Sequence, residues 1–129
     1  MPKQKNIHIA NATNVWPHEL RCARILAAQG HEIEFLPCIE GNCLKTPDLV
    51  MDSVVWELKS PESSNIKSIQ RILRRASHQS QNVIIDCARA IKLSDDRIER
   101  ELRTVLPHIK AIKRPLMVRK DGTVIDIKR

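Results

Sequence analysis

At 129 residues the chain has room for one domain whose core removes about 68% of the unfolded surface from water, and not for a second domain. Its composition, 42% hydrophobic and 29% charged, is globular. No apolar run reaches the ~20 residues of a membrane span, and the opening MPKQKNIHIANAT has no signal-like apolar segment, so a soluble chain without a membrane partner is expected. The net charge of +7 is uneven: residues 1–61 hold 6 Lys/Arg against 7 Asp/Glu, and residues 62–129 hold 16 against 8. The second half therefore suits a polyanion such as nucleic acid, although solvated basic helices would carry the same charge.

With two Trp, one Phe and no Tyr, aliphatic side chains must fill the core. Residues 6–10 (NIHIA) alternate weakly and predict a short strand or an N-terminal arm within residues 1–16. Pro17 suits the first turn of a helix that runs to about Gln29 and stops at Gly30, with Trp16 just outside its start. On that helix Glu19, Cys22, Ala23 and Leu26 fall on one face. Glu19 thus stands at the N-terminal end of the apolar face, where an acid also suits the helix dipole. His31 to Pro37 alternates Ile33 and Phe35 against Glu32 and Glu34, the pattern of a half-buried strand, and residues 38–47 predict a loop.

Next come Leu49 to Met51, a two-residue turn at Asp52-Ser53, and a returning strand Val54 to Lys59. An even turn pairs Met51 with Val54, Val50 with Val55 and Leu49 with Trp56, which sets Asp48 opposite Glu57. Ser63 or Ser64 is the expected cap of a helix to about Ser77, with Ile66, Ile69, Leu73 and Ala76 as its apolar line. Its other side carries Lys67, Arg71, Arg74 and His78 as a continuous basic stripe, a place for phosphate contacts. Asn82 to Cys87 reads as a buried strand, paired in parallel after the helical crossover. Asp95 to Leu106 reads as an amphipathic helix, and Ile112 to Arg119 with Thr123 to Lys128 as a hairpin around Asp121-Gly122. The order predicts a single α/β domain over residues 1–129, a mixed central sheet flanked by helices.

Alternation puts Glu57 and Lys59 on one strand face and Val54, Trp56 and Leu58 on the other, so one face is expected to be core and the other two acids and a lysine. Like charges directly opposite on a sheet cost tenths of a kcal/mol, so a divalent cation between Asp48 and Glu57 is the obvious compensation. These carboxylates are hard oxygen ligands for Mg2+, with Mn2+ or Zn2+ as alternatives, and Glu19 would complete the set. Lys59 would steady an attacking water or developing negative charge. Such parts belong to metal-dependent phosphodiester hydrolysis. Of the four cysteines, Cys22 and Cys87 read as small hydrophobes. Cys38 and Cys43 with His31 match no usual zinc spacing.

Pro47-Asp48, then Trp56-Glu57-Leu58-Lys59, with Glu19 on a preceding helix, resembles the PD-(D/E)XK nuclease superfamily, whose restriction-endonuclease-like core is αβββαβ. More narrowly, PDLVMDSVVWELKSP followed by a helix and QSQNVIID resembles the C-terminal tRNA nuclease domain of CdiA, the exoprotein of bacterial contact-dependent growth inhibition, over about residues 17–86. The resemblance implies Glu19, Asp48, Glu57 and Lys59 as the catalytic set and tRNA as substrate. It also implies a toxin domain that belongs to a larger secreted or cell-surface protein, acts in the cytoplasm of a neighbouring bacterium, and is held in check by a cognate immunity protein. Many superfamily members carry Gln and Tyr after the lysine; this chain has Gln70 and no Tyr. Arg74, Arg75, Gln79 and Asn82, with the stripe Lys67, Arg71 and His78, are therefore the expected RNA contacts. With so few aromatics, stacking platforms are not expected. A DNA endonuclease of the same fold, a metal-independent RNase and a non-catalytic RNA-binding module with a Glu57–Lys59 ion pair are the alternatives.

Overall fold

The structure, a computed structural model, describes residues 7–9, 15–36 and 49–127. The loop expected over residues 38–47, its Cys38 and Cys43, and the acid Asp48 lie outside the described residues. Helix α1 (Pro17–Ala28) starts and stops where local chemistry dictates. Pro17 occupies its first turn, and the Trp16 amide donates to Glu19 Oε1 at 3.0 Å. At its end Gly30, at φ +100°, donates to the Ala27 carbonyl while the His31 amide donates to that of Leu26. This Schellman closure needs the left-handed conformation that glycine adopts without strain.

The described strands form one sheet in chain order: β1 (Ile7–Ile9), β2 (Ile33–Phe35), β3 (Leu49–Met51), β4 (Val54–Lys59), β5 (Asn82–Asp86), β6 (Arg114–Val118) and β7 (Val124–Asp126). β1 is parallel to β2; β2, β3 and β4 run antiparallel; β4, β5 and β6 are parallel; β7 closes antiparallel to β6. The β3–β4 register is the expected one, with Leu49 opposite Trp56, Val50 opposite Val55 and Met51 opposite Val54. Asp52 and Ser53 form the turn at φ 52° and 69°, a primed turn whose twist matches the strands it joins. Asp52 is tied to the residue just before β2: its amide donates to the Glu32 carbonyl at 2.9 Å, and its Oδ1 accepts from the Glu32 amide at 2.9 Å.

Helix α2 (Ser68–Ala76) crosses from β4 to β5, and α3 (Asp95–Val105) from β5 to β6. Cys22, Ala23 and Leu26 of α1 pack with Trp56, Leu58 and Ile84 on one face of the sheet. Ile69 and Leu73 of α2 and Ile98 and Leu102 of α3 pack with Val83, Ile85 and Met117 on the other. Both faces are therefore core, which corrects the expectation that the Glu57 face is only a polar surface. β4 is covered on both sides, and Glu57 is 2% exposed.

Boundaries moved where polar side chains made turns of their own. α2 begins at Ser68, not at Ser63 or Ser64. Ser63 Oγ accepts from the Asn65 amide, and Asn65 Oδ1 accepts from the Lys67 amide, so two successive side-chain turns occupy the segment meant for the first helical turn. α3 is capped by Ser94, whose Oγ accepts from the Arg97 amide at 3.1 Å, and gives way to a 3-10 turn over Leu106–His108 at Pro107. The closing strands are shorter than expected; Gly122, at φ +93°, donates to the Arg119 carbonyl in the turn between them.

Ser53 holds a left-handed backbone with a side chain that gains nothing from it in the described contacts, so Ser53→Gly is expected to stabilise the fold by about 1 kcal/mol. Asp52→Gly relieves the same backbone but loses the bonds to the Glu32 amide and His31, and is expected to cost about 1 kcal/mol net. Urea unfolding of the two variants checks the opposite signs.

Candidate functional site

β4 carries the chemistry because its alternation is divided between two cores. Trp56 and Leu58 are taken by the α1 side, so Glu57 and Lys59 point to the side that α2 covers. Parallel pairing sets Glu57 beside Val83 and Lys59 beside Ile85. Burial of Glu57 against these aliphatic neighbours removes its carboxylate from water, a cost that only a close cation or ligand offsets. Lys59 Nζ lies 2.9 Å from Glu57 Oε2, with the lysine side chain 29% exposed and so still open to solvent. A buried acid and a solvent-reaching amine thus share one spot at the carboxyl end of a central strand.

The other expected site residues divide. Asp48 precedes Leu49 in sequence and lies outside the described residues. Glu19 sits on α1, across the sheet from Glu57, and its Oε1 accepts from the Trp16 amide. The described contacts do not join Glu19 to Glu57 or Lys59, and among the described residues no three His, Cys, Asp or Glu side chains gather as a metal centre. Glu57 alone of the pair offers hard carboxylate oxygens of the kind a divalent cation takes, and Lys59 sets an ammonium beside them. Lys67, Arg71, Arg74 and His78, on α2 and just beyond its two ends, are all exposed, as expected of the stripe, and so is Arg75. Asn82 is occupied by the fold: its Nδ2 donates to the Val55 carbonyl at 3.0 Å and its amide to Ser80 Oγ at 3.0 Å. Gln79 is half-buried.

A second cluster was not singled out in the sequence. Asp86, at the end of β5, is 1% exposed; its Oδ1 accepts from the Ala88 amide at 3.1 Å, and its Oδ2 has no hydrogen bond among the described residues. Arg21 Nη1 stands 4.0 Å away, while Arg21 Nη2 donates to the Lys120 carbonyl. Arg89 Nη1 donates to His18 Nε2 at 2.9 Å, and Arg89 Nη2 pairs with Glu62. Burial pushes the Asp86 carboxyl above its ordinary value, against the opposing pull of the Ala88 amide, Arg21, His18 and Arg89. The signal that could have found Asp86 is an acid at the carboxyl end of an apolar parallel strand, where open α/β sheets place their ligands.

The two described cysteines are inert. Burial, then the Asp86 charge, raises the Cys22 thiol far above its ordinary value, and burial with Asp95 pushes Cys87 up to about 12. Neither is a thiolate at neutral pH, which fits the reading of both as apolar filler. At the hairpin turn, partial burial raises the Asp52 carboxyl, but the Glu32 amide and His31 outweigh it and hold Asp52 below its ordinary value.

A family model described as the contact-dependent growth inhibition CdiA C-terminal domain matches residues 45–124, more than half of the chain. Among solved structures, the chain is similar to the CdiA-CT/CdiI toxin and immunity complex from Burkholderia pseudomallei. That likeness has 20% identity and a TM-score of 0.71, and covers 95% of this chain and 99% of that one. At this identity it speaks for the fold. Comparison with curated proteins returns no match.

Because its folded pKa is raised, Asp86 favours the folded state below the ordinary carboxylate range and costs stability as pH climbs from about 4 through its folded pKa. Asp86→Asn keeps the shape and removes the proton. Its stability relative to the parent is expected to improve as pH is raised from about 4 toward neutrality, read by urea midpoints across that window.

Proposed function

Because the chain belongs to the contact-dependent growth inhibition CdiA C-terminal domain family, a family of bacterial toxin domains, we propose that it is a metal-dependent nuclease that cleaves phosphodiester bonds of tRNA. The observation that carries this reading is the Glu57–Lys59 pair, 2.9 Å apart on one face of a hairpin whose register is the one the motif requires. The exposed Lys67, Arg71, Arg74, Arg75 and His78 on the helix covering that face support a polyanionic substrate.

Each residue has a role within this reading. Glu57 and Asp48 would hold a divalent cation, Mg2+ first, with Mn2+ or Zn2+ as alternatives; Glu19, whose Oε1 accepts from the Trp16 amide, would offer its other carboxylate oxygen as a further ligand. When bound, such an ion neutralises phosphate charge and acidifies a coordinated water. Lys59 then stands beside the reacting phosphate, where its ammonium orients the water and stabilises charge developing on a phosphate oxygen. The pairing with Glu57 fixes that ammonium in place before substrate arrives. The cations of α2 hold the phosphate backbone on the adjoining surface without reading bases. We infer further that the domain is delivered into a neighbouring cell as part of a larger CdiA protein, acts in the cytoplasm there, and is neutralised by a cognate immunity protein. The toxin and immunity complex of similar fold supports that inference.

The same Glu57–Lys59 contact favours one second reading, a non-catalytic RNA-binding module in which the two residues form a structural ion pair. Incubation with total tRNA, ribosomal RNA and plasmid DNA separates the two. Cleavage of tRNA in Mg2+ is expected to stop in EDTA and to fall at least about 100-fold in Lys59→Ala and in Asp48→Ala, with circular dichroism confirming the fold. Cleavage that persists in EDTA or in Lys59→Ala sinks the metal-dependent mechanism. The Arg71→Ala/Arg74→Ala double variant is expected to lower the slope of log affinity against log salt by about 2 while keeping the order of substrate preference.

A further inference from the structure

The two tryptophans stand in opposite environments: Trp56 is 1% exposed and Trp16 is 65% exposed. A single apolar side chain in water needs no explanation; the surroundings of Trp16 do. Trp16, Pro17, His18 and Glu19 from the start of α1, with Arg89 from the segment after β5, line an open groove of about 600 Å3, within the size range of small-ligand sites. The backbone that carries the indole is held in place. Trp16 donates its amide to Glu19, its carbonyl accepts from Leu20, and Pro17 restricts the next backbone step. Across the groove, Arg89 donates to His18 and pairs with Glu62, whose side chain is 66% exposed. Water screens that ion pair, so a phosphate can replace Glu62 on the guanidinium at little cost.

The groove lies at the working end of the sheet. β4 and β5 are parallel, with Lys59 beside Ile85. Glu62, three residues past Lys59, and Arg89, three past Asp86, meet just beyond the carboxyl ends of the two strands. An aromatic face and a guanidinium lining one groove are the two elements that bind single-stranded nucleic acid: one stacks on a base, the other takes a phosphate.

We propose that this groove binds an unpaired nucleotide of the RNA substrate, its base stacked on the Trp16 indole and its phosphate held by Arg89. The proposal rests on the reading of the substrate as RNA, and it revises the expectation that stacking takes no part in binding. Inside a duplex both faces of a base are covered by its neighbours and the base is held in its pair, so the groove selects the unpaired nucleotides of loops, bulges and single-stranded overhangs.

The test uses the full chain in EDTA, which separates binding from cleavage, and a short single-stranded RNA oligonucleotide as probe. Saturable quenching of the exposed Trp16 emission is expected, and a blunt RNA duplex of the same sequence is expected to give none. Trp16→Ala is expected to weaken binding of the single strand between about 5-fold and about 100-fold. Trp16→Phe retains the ring and is expected to restore most of the affinity while losing the quench. Arg89→Gln is expected to lower the salt slope by about 1. Circular dichroism and the emission of buried Trp56 report folding of each variant. Unchanged single-strand affinity in folded Trp16→Ala overturns the proposal. If wild-type protein cleaves RNA in Mg2+ and Trp16→Ala does so with the same KM, the groove is overturned and the nuclease reading stands. If wild-type protein binds with Trp16 quenching but cleaves neither RNA nor DNA, the groove is supported and the nuclease reading falls.

Discussion

Strand β4 must satisfy two cores at once, and the rest of the molecule is arranged to let it. Trp56 and Leu58 close the α1 side, while Glu57 and Lys59 face the side built by α2. A slip of one residue against β3 would exchange these sets, burying both charges among the α1 contacts and turning the indole toward α2. The Asp52-Ser53 turn prevents that slip. It holds two non-glycine residues in left-handed backbone and anchors Asp52 to the segment entering β2 by paired bonds with Glu32 and a 2.6 Å contact to His31 Nδ1. Strain in a short loop is offset by polar bonds that only the correct register permits.

Burial gives the charged pair its meaning. On an exposed strand Glu57 and Lys59 would contribute ~0–1 kcal/mol and say little about function. With Glu57 2% exposed, the carboxylate has lost its water and is held beside the ammonium of Lys59. Asp86 repeats the theme on the opposite side of the sheet, nearly as deeply buried and with Arg21 at 4.0 Å. Two buried acids near the carboxyl ends of adjacent parallel strands cost stability that a merely structural sheet would avoid. They stand at the end where open sheets bind ligands, the end at which the proposed site is built.

Other charges hold the frame. Arg119 and Lys120, at the turn after β6, reach Asp95, Asp96 and Glu99 at the start of α3, and Lys120 Nζ donates to the Leu93 carbonyl at 2.6 Å. These pairs join the last hairpin to the helix that precedes it, and spend part of the basic second half on structure. The α2 stripe keeps its cations on the exposed side, with none of the described salt bridges drawing on Lys67, Arg71, Arg74 or Arg75. An excess of positive charge in the sequence is therefore divided between scaffold and surface.

Local chemistry by itself determined the α1 boundaries, the β3–β4 register and the exposed basic line of α2, because each depends on spacing within a few residues: Pro17 and Gly30, an even turn, and a helical repeat. It also marked Glu57 and Lys59 as partners, since strand alternation alone puts them on one face. Tertiary structure decided the rest. Whether the Glu57 face met water or a second core depended on where α2 packed, and periodicity does not say which helix covers which face. The sequence offers Asn82 as a substrate contact, and the fold commits its side-chain amide to the Val55 carbonyl of the neighbouring strand, 27 residues away. The union of His18 with Arg89, separated by 71 residues, and the isolation of Asp86 beside Arg21 exist only after three elements converge. No one of those segments carries a local signal for them.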